Sequence, residues 1–211
     1  MPALVSETFV LRTYPFKEGD LIVSFFTRDQ GKLRGVARRA RRPKSPFGSG
    51  LERLSQVRMA YIQRENAELA TLTGCELMES QFALQSDYER GLALDFFTEV
   101  TEHLLPPHEP NEKFYRLLAS VLDYLRHEGS VWAAISYFSL WAVRLAGVFP
   151  EMRVSEETAQ IAEEMFAKPV GALEPREWTK ATCRDMRRLL VRAIEQHAER
   201  RLLTVPLLEA V

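Results

Sequence analysis

The hydrophobic period changes once along this chain, near Cys75, and that change sets the class of fold. Before it, short runs of β-branched and aromatic residues alternate with turn residues, the pattern of strands. Thr8 to Tyr14 reads as a first strand stopped by Pro15, and Lys17-Glu-Gly-Asp20 is a turn. Leu21 to Thr27 is a second strand. Asp29-Gln30-Gly31 is a hairpin signal, and Lys32 to Arg38 is a third strand. Ser55 to Arg64 and Leu69 to Thr73 complete a set of five. Short strands joined by tight turns and one long loop suit a small barrel, with an OB-fold as the leading candidate.

Beyond Cys75 the apolar residues recur at helical spacing. Phe82, Leu84, Tyr88, Leu92, Phe96, Val100 and Leu104 make one run, broken near Ser86-Asp87. Asn111, Ser130 and Thr179 are N-cap candidates for later helices, a shorter helix is expected from about Ser155 to Ala167, and the last helix runs through Ala198. The expected class is α+β: a five-stranded OB-fold barrel over residues 1–78, then an all-helical domain of five or six helices over 79–211.

Charge follows the same division. Residues 1–70 hold thirteen Lys/Arg against seven Asp/Glu, whereas the whole chain has net charge −1. The excess gathers at Arg38-Arg39-Ala40-Arg41-Arg42-Pro43-Lys44, five cations in seven residues. Pro43 places them in a loop. Such a cluster is either a solvated loop or a seat for a polyanion, of which nucleic acid is the obvious one. Strand alternation puts Lys32, Arg34 and Arg38 on one face, opposite Leu33, Gly35 and Ala37. The basic loop therefore continues a basic strand face. Phe47, Tyr14 and Tyr61 are candidate rings for base stacking, or else ordinary barrel residues.

A second basic group lies on the last helix. Arg184, Arg187, Arg188 and Arg192 share about one face. It reads either as a solvated face paired locally to Asp185 and Glu195, or as a seat for an acidic peptide or a phosphate backbone.

Little else carries chemistry. Gly48-Ser-Gly50 lacks the spacing of a phosphate loop. Glu99, Glu102 and His103 lie close on one helix without a second Glu-x-x-His copy, and read as a solvated face. Cys75 and Cys183 fit a reducing cytoplasm, and Cys183 reads as structural. No signal peptide or bilayer-length apolar stretch is apparent. No catalytic residue, metal ligand or cofactor is expected. The open function classes are a nucleic-acid-binding protein, for DNA or RNA, and an acidic-peptide-binding scaffold.

Four stretches resemble a known family. Leu11-Arg-Thr, Glu18-Gly-Asp20, Phe26-Thr-Arg-Asp-Gln-Gly-Lys32 and Ala37-Arg-Arg-Ala-Arg-Arg-Pro-Lys-Ser45 match the bacterial RecO DNA repair family in order and spacing over residues 5–65. Trp141 to Pro150 and the Arg201-Leu-Leu ending are similar to it more loosely. The resemblance implies an N-terminal OB-fold and a helical C-terminal domain. It implies binding of ssDNA and dsDNA, annealing of complementary strands, and loading of the RecA recombinase at gaps. The implied partners are the acidic C-terminal tail of single-stranded DNA-binding protein, RecR and RecF, in a cytoplasmic, nucleoid-associated setting. On this reading Lys32, Arg34, Arg38, Arg39, Arg41, Arg42 and Lys44 hold phosphates, while Arg184, Arg187, Arg188 and Arg192 seat the peptide. Two departures stand out. Arg38-Arg39 replaces the family's Lys-Gly, keeping charge at 38 and losing glycine's freedom at 39. The four-cysteine zinc module of many members is absent after Pro150, so Glu151–Trp178 is expected to be remodelled.

Overall fold

The structure is a computed structural model describing residues 3–65 and 67–211. Its strands are β1 (Leu4–Phe16), β2 (Asp20–Thr27), β3 (Gly31–Ala37), β4 (Gln56–Ile62) and β5 (Ala70–Glu79). They close into a barrel in the order β1-β2-β3-β5-β4. β3 and β5 pair parallel; the other pairs of named strands are antiparallel. This is the five-stranded barrel that the turn spacing predicts. Two strands outrun the sequence pattern. Pro15 does not stop β1 but pairs with Leu21 near the hairpin end, where a missing N–H is tolerated. β5 continues past Thr73 to Glu79, paired along β4. Its Gly74, Glu76 and Glu79 are poor strand formers, so backbone pairing overrides propensity there.

Val10, Val23, Phe25, Leu33, Met59, Tyr61 and Leu72 fill the barrel. The chain divides into two compact units, 1–83 with 105–115, and 84–104 with 116–211. The returning segment 105–115 caps one stretch of the barrel's outer surface. Tyr115 lies 4.7 Å from Phe9 and 5.8 Å from Phe26 between ring centroids, and Phe114 meets Phe26 edge-on. Arg28 pairs with Glu112 at 2.7 Å and with Glu7 at 3.1 Å.

The helices are α1 (Phe82–Gln85), α2 (Tyr88–Leu104), α3 (Glu112–Arg126), α4 (Val131–Leu145), α5 (Glu156–Ala167), α6 (Arg184–Ala198) and α7 (Thr204–Ala210), with a 3-10 turn over Val170–Ala172. In the helical unit α4 is buried on nearly every side. Its Phe138 packs on Phe96 and Phe97 of α2. Asn111 and Ser130 each accept the backbone N–H three residues on, as their cap assignments require, and Ser155 does the same at the start of α5. Glu151–Trp178 holds α5 and the 3-10 turn. None of the described helices is long and apolar enough to cross a membrane.

Two expectations about the helices are corrected. Thr179 does not cap α6, which starts five residues later, after a left-handed Cys183 (φ 55). The carbonyls of Lys180 and Thr182 turn inward to the Arg187 guanidinium, outside any helix. Glu99 is not on a solvated face; it is 1% exposed. Its carboxylate accepts the N–H groups of Leu203 (2.7 Å) and Thr204 (2.9 Å) and the Thr204 hydroxyl (2.6 Å). Those donors open α7, which the sequence pattern did not reveal. A helix start needs acceptors for its free N–H groups, and here another helix supplies them.

Gly31 sets a test of the returning segment. It has φ +77, and a Cβ there would stand 2.6 Å from the Glu109 nitrogen and closer still to its carbonyl. Gly48 also has positive φ (+50) but faces open space. Gly48→Ala should cost only left-handed strain, about 1–2 kcal/mol. Gly31→Ala should cost clearly more in a denaturant melt, because backbone must move. Equal costs would contradict the packing of 105–115.

Candidate nucleic-acid interface

The β1–β2–β3 sheet turns its cations outward. Along β3, Leu33, Gly35 and Ala37 are buried and Arg34 is exposed, as alternation predicts. Ser24 stands opposite Arg34 on one side and Arg12 on the other. Opposed residues point the same way, so Arg12, Ser24 and Arg34 form one row across three strands. Tyr14, Ile22 and Val36 form the next. Sequence reasoning missed Arg12. Strict alternation places it beside Val10, which lies in the barrel core. A register shift between Val10 and Arg12 turns it outward, and no residue in the sequence marks that bulge. Lys32 is half-buried at the other end of this face. There its carbonyl accepts the His108 N–H at 3.0 Å.

Beyond β3 the chain leaves the sheet as the basic loop. Arg38, Arg39, Arg41, Arg42 and Lys44 are all exposed. Among the described residues, ion pairs such as Arg58–Glu76 and Arg28–Glu7 form elsewhere, and none involves these five or Arg34. Arg39 has φ 55, so it keeps a glycine-like backbone although it is not glycine. That conformation costs an L-residue about 1–2 kcal/mol. An offset is at hand: the Arg39 N–H donates to Asp20 Oδ1 at 2.7 Å. The Arg41 N–H donates to the Gly19 carbonyl at 3.0 Å. The β1–β2 turn, with exposed Lys17, is thereby tied to the loop.

The stacking candidates separate. Tyr61 is fully buried and its hydroxyl lies 3.3 Å from Ser6 Oγ. Phe47 is 3% exposed and belongs to the barrel core. Neither ring can reach a base. Phe47 instead pins the far end of the loop, since an apolar ring gains more in the core than in solvent. Its carbonyl accepts from Gly50 N–H at 2.9 Å and from the Cys75 thiol at 3.4 Å. Tyr14 is 40% exposed, on the outer row beside Arg12 and Arg34.

On α6 the expected basic face divides. Arg187 is not on it: the side chain is buried, its guanidinium 4.9 Å over the Trp132 ring and bonded to Ser136 Oγ at 3.2 Å. Burial lowers its pKa. Arg184 reaches Glu209 at 3.3 Å. Arg188 and Arg192 remain exposed, and with Arg201 they rim a groove of about 290 Å³. Trp132, Ile135, Val191, Val205 and Leu208 give the groove an apolar lining, and Glu195 and Glu209 also line it, engaged with the Leu202 N–H and with Arg184. The expected local partners act otherwise. Asp185 takes the Ser155 N–H (2.8 Å) and the Thr158 hydroxyl (2.8 Å). Burial opposes its charge, but these donors together with the Met186 N–H outweigh it and hold the carboxyl below its usual range. Glu195 accepts the Leu202 N–H at 2.9 Å.

Burial pushes the Cys75 and Cys183 thiols up to about 11, away from thiolate chemistry. No group of three or more His, Cys, Asp or Glu that could hold a metal occurs among the described residues. The arrangement suits electrostatic holding of an extended polyanion. Phe47→Ala should destabilise the protein by about 3–5 kcal/mol, whereas Tyr14→Ala should stay within about 0.5 kcal/mol. Denaturant melts showing equal effects would contradict the different placement of the two rings.

Known proteins match both halves of the chain. The family Recombination protein O N terminal matches residues 1–81, and Recombination protein O C terminal matches residues 85–158. DNA repair protein RecO of Koribacter versatilis is 37% identical over 238 residues, 97% of each chain. RecO of Cutibacterium acnes is 36% identical over 126 residues, covering 59% of this chain and 51% of its own. RecO of Syntrophus aciditrophicus is 26% identical over 147 residues, covering 70% of this chain and 57% of its own. The chain thus matches only about half the length of these last two relatives, and nearly all of the first. A barrel with an outward basic face, a helical unit and matches across both place this chain in the RecO family of DNA repair and recombination proteins.

Proposed function

We propose that this protein is a non-enzymatic recombination mediator. It binds ssDNA and dsDNA on the outer β1–β2–β3 face and basic loop, anneals complementary strands, and with RecR helps load RecA on DNA coated by single-stranded DNA-binding protein. The observation that carries the reading is the set of exposed arginines on β3 and the basic loop (Arg34, Arg38, Arg39, Arg41 and Arg42), unpaired by carboxylates among the described residues, on a barrel of a DNA repair family. Phosphates would replace solvent as their counter-charge, releasing ions condensed on the DNA. Annealing needs no proton transfer or nucleophile. Two strands repel, and a shared cationic surface lowers that repulsion. Lys32, Arg34, Arg38, Arg39, Arg41, Arg42 and Lys44 would contact phosphates, with Arg12 added by the bulge and Tyr14 available for stacking.

The groove beside α6 supports the partner half of the reading. An apolar floor rimmed by Arg188, Arg192 and Arg201 fits a short peptide with both acidic and apolar residues. The acidic tail of single-stranded DNA-binding protein has that chemistry. Arg187 would act there only by supporting Trp132.

Salt dependence tests the DNA half. Binding of a labelled single-stranded oligonucleotide, read by anisotropy, should weaken linearly with log salt. The Arg38→Ala/Arg41→Ala/Arg42→Ala variant should reduce the slope by about 0.7 for each phosphate it no longer neutralises, largely independent of base sequence. A variant slope equal to wild type would remove the loop from the interface. For the groove, Arg188→Glu should abolish binding of the tail peptide and leave the salt slope unchanged. Unmoved peptide affinity would refute that seat.

A further inference from the structure

The acid nearest the basic loop has a definite geometry. Asp20 lies at the start of β2, and its Oδ1 takes the N–H of Arg39, the left-handed residue between Arg38 and Arg41. The next residue back, Gly19 (φ +86), gives its carbonyl to the Arg41 N–H at 3.0 Å. The Arg42 N–H then closes on the Arg39 carbonyl at 3.1 Å. The Arg42 side chain lies against Gly19, its Nε 3.5 Å from where a Cβ would stand. A backbone donor on each of three arginines is thereby fixed, and the first link is a carboxylate.

Electrostatics alone gives that carboxylate the wrong sign. A negative charge beside a phosphate seat repels the phosphate. Its geometry gives the opposite effect, because a loop held in its bound shape loses less freedom on binding. We infer that Asp20 is a positioning residue for the DNA-binding loop, acting through the left-handed backbone of Arg39 and not through contact with DNA. The inference rests on the DNA reading above and adds a residue that opposes DNA by charge.

The two effects predict different signs, so substitution separates them. Asp20→Asn keeps an oxygen acceptor for the Arg39 N–H and drops the charge. It should bind single-stranded DNA more tightly than wild type at low salt, by up to about twofold. Asp20→Ala drops both charge and acceptor and should weaken binding by about five- to tenfold. In an Arg39→Gly background, where glycine takes the left-handed conformation freely, Asp20→Ala should lose most of that effect. The experiment is anisotropy on all five proteins, with circular dichroism melts to verify folding. Tighter binding by Asp20→Ala, or an unchanged Asp20→Ala penalty in the Arg39→Gly background, would overturn the inference. If Asp20→Ala does not fold, weaker binding by folded Asp20→Asn is sufficient to overturn it. Wild type with no affinity for the oligonucleotide would instead overturn the DNA reading itself, and this inference with it.

Discussion

Five cations in seven residues repel one another, and the basic loop is held by everything except its charges. Backbone donors at Arg39 and Arg41 reach the β1–β2 turn, and the Phe47 ring sits in the barrel core. Tethered at both ends, the loop can expose its arginines without collapsing onto a carboxylate elsewhere. The barrel beneath contributes Arg34 and Arg12 to the same outer side. A closed sheet suits this role because its register fixes the spacing of charges that would otherwise drift apart.

The helical unit uses arginine in the opposite way. Arg187 is inside, its guanidinium satisfied by two carbonyls, a serine hydroxyl and the face of Trp132. A buried charge left without such partners would be strongly destabilising. Glu99 is the acidic counterpart, holding the start of α7 through three donors. These two buried ions organise the segments that build the groove, and leave Arg188, Arg192 and Arg201 on its rim. Similar residue types thus serve as structure in one place and as exposed charge in another. Burial and available backbone partners decide which.

Much of this was legible in the residues, for identifiable reasons. Period-two alternation in β3 placed Leu33 inside and Arg34 outside, and caps at Asn111 and Ser130 sited two helices. What escaped depended on partners distant in sequence. Arg12 faces outward because of a bulge against β2. Phe47 looked like a loop aromatic until the barrel closed around it. Arg187 shares helical spacing with Arg184 and Arg188, but α4 lies on its side of the helix, with Trp132 and Ser136 in contact. Glu99 has no local signal, since the N–H groups it accepts lie more than a hundred residues away. Spacing reports which residues share a face, and tertiary packing decides whether that face meets water.

The proposed function has the outer barrel face and its loop bring DNA strands together by charge. Its most direct test is the rate at which two complementary, fluorescently labelled oligonucleotides pair, with no nucleotide or metal added. The wild-type protein should accelerate pairing, and an Arg38→Ala/Arg39→Ala/Arg41→Ala/Arg42→Ala variant, folded by circular dichroism, should not. Acceleration that survives the fourfold substitution would contradict the assignment to this loop. No acceleration by folded wild type would contradict the proposed function itself.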